Sequence, residues 1–443
     1  MKAELSTPPV KTKSPFERIL SVFSNIQAGE GLTVLLLFVN AFLLMELYYI
    51  LKPVREGLIL SGFGAVVKSY ASAAQAGLFL LIVPVYGIFA AKVNRVKLIA
   101  GMTVFFLSNL VLFIMALGAG LQIGIVYFIW LGIFSFMLPS QFWAFATDIY
   151  NEDQGKRLLP IVGIGASAGA LAGAYLTAHY FSKMSNESLL GLACGLLCIF
   201  IALIVWINVR ETPRVPDAIS SFEKPLSKEG GFKLVRSSKY LLLMAFLILF
   251  LNMVNSIGEF LLGNLFAQDA IAQFGDGAAF RTQRGNYIRT QYSEFFGWVN
   301  LIGLAVQSLV VSRFIRFLGV RGTLFIGPIV SLLTYGTIAF MPVLGVARWM
   351  KIAENSNDYS TNNTVRQALF LPLSRDEKYK AKAAIDTFFG RSGDALQALV
   401  VFLGTQMAFS TSGFAVVNVV FIGIWIALAI GISREHKLVA KES

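Results

Sequence analysis

Lys52, Arg55 and Glu56 stand together in the run Lys52-Pro53-Val54-Arg55-Glu56-Gly57-Leu58-Ile59-Leu60, at the end of the first long apolar stretch of the chain. Two cations and an acid beside a membrane-length segment can hold an anion or complete a charge network. A charge in such a place costs roughly 2.5–3.5 kcal/mol on insertion scales, so something must compensate it, and a substrate or ion pathway is the first hypothesis. A guanidinium suits bidentate recognition of phosphate. The competing reading is that Lys52 and Arg55 snorkel to the outer headgroups.

Other polar residues break the apolar pattern further along. Asn40 and Glu46 lie in the first apolar run, and Asn252, Asn255 and Glu259 fall on one face of the seventh at spacings of three and four. An acid inside an apolar helix must be paired, protonated or facing water, which makes Glu46 and Glu259 coupling candidates. Arg348, Lys351 and Glu354 lie three apart in the tenth run, where Glu354 can neutralise Lys351 while Arg348 still seeks an anion. Asp386, Arg391 and Asp394 in the eleventh run are read as a gate, with a structural network as the alternative, and Asp148, Lys156 and Arg157 as a cytoplasmic charge relay that locks one state, with nucleotide contact as the alternative. The substrate candidates are therefore Lys52, Arg55, Glu56, Asn252, Asn255, Arg348, Lys351, Asn357 and Arg366. The coupling or gating candidates are Glu46, Asp148, Lys156, Arg157, Glu259, Asp358, Asp386, Arg391 and Asp394.

Composition says what must position them. With 56% hydrophobic and 14% charged residues and a mean hydropathy of +0.68, the 443-residue chain is far more apolar than a soluble domain. It reads as an all-α polytopic membrane protein. Apolar runs matching a hydrocarbon core of about 30 Å fall near 31–51, 69–91, 98–118, 122–146, 159–181, 188–209, 240–265, 292–312, 321–341, 343–363, 383–406 and 412–432, which predicts twelve transmembrane helices. The tenth is interrupted by Arg348, Lys351, Glu354 and Asp358.

The N-terminus, the even-numbered loops and the C-terminus carry 27 of the 37 Lys and Arg, so the positive-inside rule puts both termini in the cytoplasm of an inner (plasma) membrane protein. The net charge of +12 is then mostly topology beside anionic headgroups, and nucleic acid need not be invoked. The expected organisation is a cytoplasmic segment over 1–30, a six-helix bundle over 31–209, a linker over 210–239, a second six-helix bundle over 240–432 and a tail over 433–443. The first apolar run is too long, and too far from the start, for a cleavable signal. Before it, Phe16, Ile19, Leu20, Phe23 and Ile26 recur at helical spacing, which reads either as a helix lying on the cytoplasmic face or as a solvated tail. The segment 267–290 reads as a long external loop, either a lid or a solvated insertion.

Cys194 and Cys198 lie four apart with no other thiol or nearby histidine; they are read as core residues, and no metal site or disulfide is expected. No glycine-rich phosphate loop is present, so transport, if that is the function, runs on gradients or exchange, without a cofactor. Gly165, Gly169 and Gly173 repeat every fourth residue in the fifth run and invite close approach of another helix, as a sliding contact or a dimer face; a monomer is expected. The two halves also break pattern alike: the first and seventh runs carry an amide and an acid, the second and eighth end in basic loops, and the fourth and tenth end at Asp148 and Asp358. Such pseudo-symmetry is the arrangement of major facilitator transporters, with the substrate site near the midplane.

The run from Asn357 to Leu399 resembles the ATP/ADP antiporter (NTP/NDP exchange transporter) family of bacteria and plastids. The similarity lies in the turn Leu371-Pro372-Leu373, the step from Lys380 to Asp386 and the helix start from Gly390 to Gly393. The stretch from Asp148 through Gln154-Gly155-Lys156-Arg157 into the glycine-rich run is similar to the first half of the same family, and Arg55-Glu56 keeps its basic-acidic pair. The resemblance implies a twelve-helix antiporter of major facilitator type that exchanges phosphorylated anions, ATP and ADP among them. The chain departs from the family at Thr364-Val365-Arg366-Gln367, where the nucleotide exchangers show Thr-basic-acidic. The alternatives are a proton-coupled transporter of an amphipathic metabolite (siderophore, lipid or peptide), with Glu46 or Glu259 cycling its proton, and a membrane receptor that kept the fold and lost transport.

Overall fold

The computed structural model describes residues 26–90, 93, 95–150, 152–211, 231–374 and 377–442. The surface helix expected over residues 16–26 lies outside them except for Ile26, and so does most of the expected linker. Every regular element among the described residues is helical: α1 (Gly31–Ala90), α2 (Arg95–Gly118), α3 (Gly124–Ile149), α4 (Glu152–His179), α5 (Asn186–Glu211), α6 (Gly231–Ser237), α7 (Lys239–Phe274), α8 (Arg281–Leu309), α9 (Val311–Thr323), α10 (Ile326–Phe340), α11 (Leu344–Asn357), α12 (Asn363–Leu369), α13 (Lys382–Ala384), α14 (Gly390–Gln406) and α15 (Thr411–Glu442). Wider π turns at Asp358–Asn362, Glu377–Ala381 and Ile385–Phe389 join or precede α12, α13 and α14. By length and apolarity alone seven of the described helices can cross a membrane, or eight if the pair bent by 71° after Leu309 counts as one.

The 60 residues of α1 would extend about 90 Å at 1.5 Å per residue, three times the hydrocarbon thickness of about 30 Å. The helix breaks at Gly64, whose φ of 80° and ψ of 175° suit only glycine. Beyond it the chain folds back, so that Lys68 Nζ lies 2.6 Å from Glu56 Oε2. This corrects the expected boundary. The limb 31–63 does not end at residue 51, and Lys52, Arg55 and Glu56 stand well inside it. The helix can continue because Glu56 receives both Arg55 and Lys68.

Three more expectations are corrected. The long external loop is mostly helix: α7 runs to Phe274 and α8 starts at Arg281, leaving only a tight connection. Gln273 Nε2 donates to Asp269 Oδ2 at 2.9 Å and to Tyr287 Oη at 3.0 Å, tying these helical extensions together. Asp358 does not end its helix, because the π turn at Asp358–Asn362 carries the backbone on into α12. Cys198 is exposed and so is not a core residue, whereas half-buried Cys194 packs against the apolar core of the first five helices.

The glycine stripe of α4 is occupied from within. A Cβ on Gly165 would stand 2.5 Å from the Phe38 carbonyl of α1, and Gly169 and Gly173 lie as close to the carbonyls of Phe42 and Glu46. The stripe therefore fixes α4 to α1. One apolar core gathers Leu37, Leu44, Phe134 and Leu197 with their neighbours from α1 to α5. A second is built mainly from α7 to α15, around Val254, Phe295, Tyr335 and Ile422. The helices α1–α5 and α7–α15 are called the first and second sets below.

Candidate functional site

Both sets contribute to a cavity of ≈ 300 Å³. From the first set α1 supplies Lys52, Arg55 and Lys68, and α3 supplies Phe128; from the second, α7 supplies Asn255 and Glu259, and α14 supplies Arg391 and Asp394. Charges can persist here because most are paired or hydrogen-bonded locally. Arg55 Nε donates to Glu56 Oε1 at 2.9 Å, and its guanidinium carbon lies 4.6 Å from the Phe128 ring centroid. Lys68 shares Glu56 from the returning limb. Across the cavity Asn355 Nδ2 donates to Glu259 Oε1 at 3.0 Å, and Ser256 Oγ donates to Asp394 Oδ1 at 2.6 Å. Arg391 Nη1 lies 3.4 Å from Asp394 Oδ2, with its guanidinium carbon 4.4 Å from the Phe79 ring centroid.

Lys52 differs from the other cations. It is 8% exposed, and its ammonium meets rings only: 3.8 Å to the centroid of Phe296, 5.3 Å to Tyr49 and 5.8 Å to Tyr48. Among the described residues it has neither an ion pair nor a hydrogen bond. Cation–π contact offsets part of the desolvation cost, but a buried ammonium without a counter-charge remains a site for an anion.

Behind Glu259 a second network is closed. Lys351, 1% exposed, has its Nζ 2.5 Å from Glu354 Oε2, 3.1 Å from Asn255 Oδ1 and 3.8 Å from Glu259 Oε1. Glu354 also accepts from Tyr335 Oη at 2.7 Å and Ser331 Oγ at 3.0 Å. The neutralisation expected from the three-residue spacing of Lys351 and Glu354 is thus present.

Of the residues singled out from sequence, Lys52, Arg55, Asn255, Glu259, Arg391 and Asp394 line the cavity, with Glu56 and Lys351 directly behind. The others lie elsewhere. Asn252 donates to the Ile248 carbonyl and packs on Gly393 of α14. Arg348 is taken by Glu294 at 2.6 Å and Gln291 at 2.8 Å, and Arg366 donates to Asn363. Asn357 is buried outside the cavity lining, and half-buried Asp358, which accepts from Asn362, also lies outside it. Glu46 and Asp386 also stay outside the lining. The relay residues hold elements of the first set together: Asp148 pairs with Arg95 at 3.0 Å, Arg157 binds Glu30 at 3.0 Å, and Lys156 is exposed on α4. Glu30 lies just before α1; burial pushes its carboxyl up, but the Arg157 hydrogen bond and the Gln27 N–H outweigh burial and leave it below the usual glutamate value.

Sequence reasoning missed Lys68, Tyr48, Tyr359, Ser69 and Gln397, all of which line the cavity. Gln397 Nε2 donates to Ser69 Oγ at 3.0 Å, a hydrogen bond between the sets. Lys68 carried a signal, an unaccompanied cation one residue before an apolar run.

Residues 124–436 match the protein family described as TLC ATP/ADP transporter. The ADP,ATP carrier protein 1 of Chlamydia pneumoniae is 26% identical over 349 residues, 68% of this chain and 64% of the relative. The chloroplastic ADP,ATP carrier protein 1 of Arabidopsis thaliana is 26% identical over 337 residues, 70% of this chain and 53% of the relative. The match thus spans less than two thirds of the length of these curated relatives. Among solved structures, the nucleoside transporter NupG superposes with a TM-score of 0.64 at 14% identity, covering 90% of this chain and 98% of that one. A POT family transporter in complex with 5-aminolevulinic acid gives 0.61 at 12% identity, covering 90% and 96%. At such identities the likeness is one of fold.

Proposed function

The chain belongs to the TLC ATP/ADP transporter family, and from that membership we propose that it is a secondary transporter that exchanges an organic or phosphorylated anion by alternating access. The carrying observation is Lys52, a buried ammonium without a counter-charge on the wall of a cavity to which both helix sets contribute. An anion there would remove a cost that the empty protein bears. Lys52 and Arg55 are the proposed anion ligands, and the relatives named as ADP,ATP carriers make ADP and ATP the first solutes to test.

The proposed architecture is two six-helix bundles, 31–209 and 240–432, joined by 210–239. The two limbs of α1 count as separate spans. The bent pair α8 and α9 counts as one, and the helix 344–369, the helix 377–406 and α10 each count as one more, which brings the total to twelve. Both termini lie in the cytoplasm of the plasma (inner) membrane, by the distribution of basic residues. Gly57 packing on Gly285, and Arg289 reaching the turn after α4, support a state closed at the end away from the N-terminus.

A second reading rests on Glu259. It faces the cavity, while Lys351 is held closer by Glu354, at 2.5 Å against 3.8 Å. Such a carboxylate could carry a proton in a proton-coupled transporter of an amphipathic metabolite.

Counter-exchange in proteoliposomes separates the two readings. Labelled ATP and AMP are offered to vesicles preloaded with ADP, AMP or buffer, beside a pH-gradient control. Uptake that requires internal anion supports exchange. Uptake that follows the pH gradient and is lost in Glu259→Gln moves the assignment to proton coupling.

A further inference from the structure

We infer that the substrate presents one anionic group, a phosphate monoester or a carboxylate, together with hydroxyl or amine donors, and that the cavity discriminates against polyphosphates. This deepens the exchanger reading and rests on it. How much anionic charge the site can hold depends on its cations. Five lie in or directly behind the cavity: Lys52, Arg55, Lys68, Lys351 and Arg391. Four already have carboxylates within their own helix set. Arg55 and Lys68 share Glu56, Arg391 has Asp394, and Lys351 has Glu354 with Glu259 farther off. Five cations against four acids leave a formal surplus of one positive charge, and Lys52 is the cation that carries it.

The other basic residues of the second set do not add to this. Arg348 is bound by Glu294 and Gln291, and Arg366 reaches Asn363, both outside the lining. A second or third phosphate would find no unclaimed cation among the described residues that line this cavity. It would instead meet Glu259 and Asp394, which line the same cavity as the basic wall. Those carboxylates repel further anionic charge in a partly desolvated site, and as acceptors they favour hydroxyl or amine donors.

The rest of the geometry agrees. Arg55 turns Nε and Nη2 to Glu56, which leaves Nη1 to join the Lys52 ammonium on a single anionic group. The ≈ 300 Å³ volume lies at the small end of ligand cavities. The single group would be held between Lys52 and Arg55, and the donor-bearing end would face α7 and α14.

The test is initial-rate uptake by the reconstituted full chain of labelled AMP, ADP, ATP, orthophosphate and glutamate, each into vesicles preloaded with the same unlabelled solute. Tm shifts of the detergent-solubilised protein with each solute provide a readout independent of transport. The expected result is a kcat/KM for AMP or glutamate at least tenfold above that for ATP, with orthophosphate below AMP because it has no donor-bearing body. AMP against glutamate decides between phosphate monoester and carboxylate. Glu259→Gln should narrow the gap between AMP and ATP, and Lys52→Gln should weaken every anion. ATP or ADP moving as efficiently as AMP would overturn the inference while leaving the exchanger reading intact. No exchange and no Tm shift with any of the five solutes would overturn the exchanger reading itself.

Discussion

Arg289 of α8 donates to Asn186 Oδ1 at 2.7 Å across the junction between the two helix sets. Its other terminal nitrogen reaches the carbonyls of Ser182 and Met184 at 2.8 Å each, in the turn that follows α4. The side chain is 1% exposed, yet all three of these partners are neutral oxygens. A guanidinium suits this place because carbonyls beyond a helix C-terminus have no intrahelical donors and carry partial negative charge. One turn earlier, Gly285 lets α1 approach so closely that a Cβ on Gly57 would stand 2.6 Å from its carbonyl. The contact ties the two sets together at this end, and we propose that it acts as a latch.

Arg289→Ala should open that latch. Hydrogen bonds to charged groups contribute about 1.5–3 kcal/mol each, so losing three should shift the balance of conformers by more than tenfold even after water replaces some of them. In a background with Cys194 and Cys198 changed to serine, a cysteine placed at Ser61 should react faster with an impermeant maleimide when Arg289 is absent. Equal labelling rates would show that the contact does not hold the closed end.

Lys52→Gln should separate binding from stability. If Lys52 receives the substrate anion, its loss should raise KM by tenfold or more, equivalent to about 1.4 kcal/mol. The empty protein should keep its Tm or gain, because a desolvated cation without a counter-charge is removed. A fall in Tm with unchanged KM would make Lys52 a structural residue.

What could be read from the sequence, and what could not, follows from how rare a signal is. Charges are so uncommon in apolar runs that Lys52, Arg55, Glu259, Arg391 and Asp394 stand out unaided, and the structure brings all five to one cavity. Lys68 was hidden by treating 52–68 as a connection, when the break is the single residue Gly64. Arg289 was hidden in the same way, because a polar helix extension looks like a loop when only hydropathy is weighed. The partnership of Arg348 with Glu294 joins residues 54 apart in sequence, and no local spacing announces it. Ser69 and Gln397 become neighbours only through packing of the two sets.

Gly169→Ala tests the fit of α4 to α1. The added Cβ would overlap the Phe42 carbonyl, whereas nothing lies within 4 Å of a Cβ at Gly163 on the same helix. Overpacking of this kind costs about 1–3 kcal/mol, so Gly169→Ala should lower Tm by several degrees while Gly163→Ala stays near wild type. Equal Tm values for the two variants would mean that α1 shifts freely.

The Glu30–Arg157 pair should give a pH signature. The folded carboxyl sits below the ordinary value of 4.5, so its contribution is present above that pH and is lost as pH falls through the lower folded value. The pair is partly solvated, and about 0.2–1 kcal/mol is expected. The Tm difference between wild type and Arg157→Gln should therefore be constant from pH 7 to 5 and shrink below 4.5. A difference that grows on acidification would reverse the assignment.

Lys351 and Glu354 form the most enclosed ion pair beside the cavity, at 2.5 Å with side chains 1% and 6% exposed. Removing one partner leaves the other buried without its counter-charge, at a cost of about 3–5 kcal/mol, whereas replacing both with neutral residues of similar shape is often close to neutral. Lys351→Met should therefore destabilise strongly, and Lys351→Met with Glu354→Gln should recover most of the loss, since Tyr335 and Ser331 can still donate to the oxygen of the amide that replaces the carboxylate. Exchange should recover less than stability. Lys351 also lies 3.8 Å from Glu259, so the double variant leaves that cavity acid without its cation and should weaken anion binding while the fold is intact. Full recovery of both Tm and KM would show that the Lys351 network supports the fold alone.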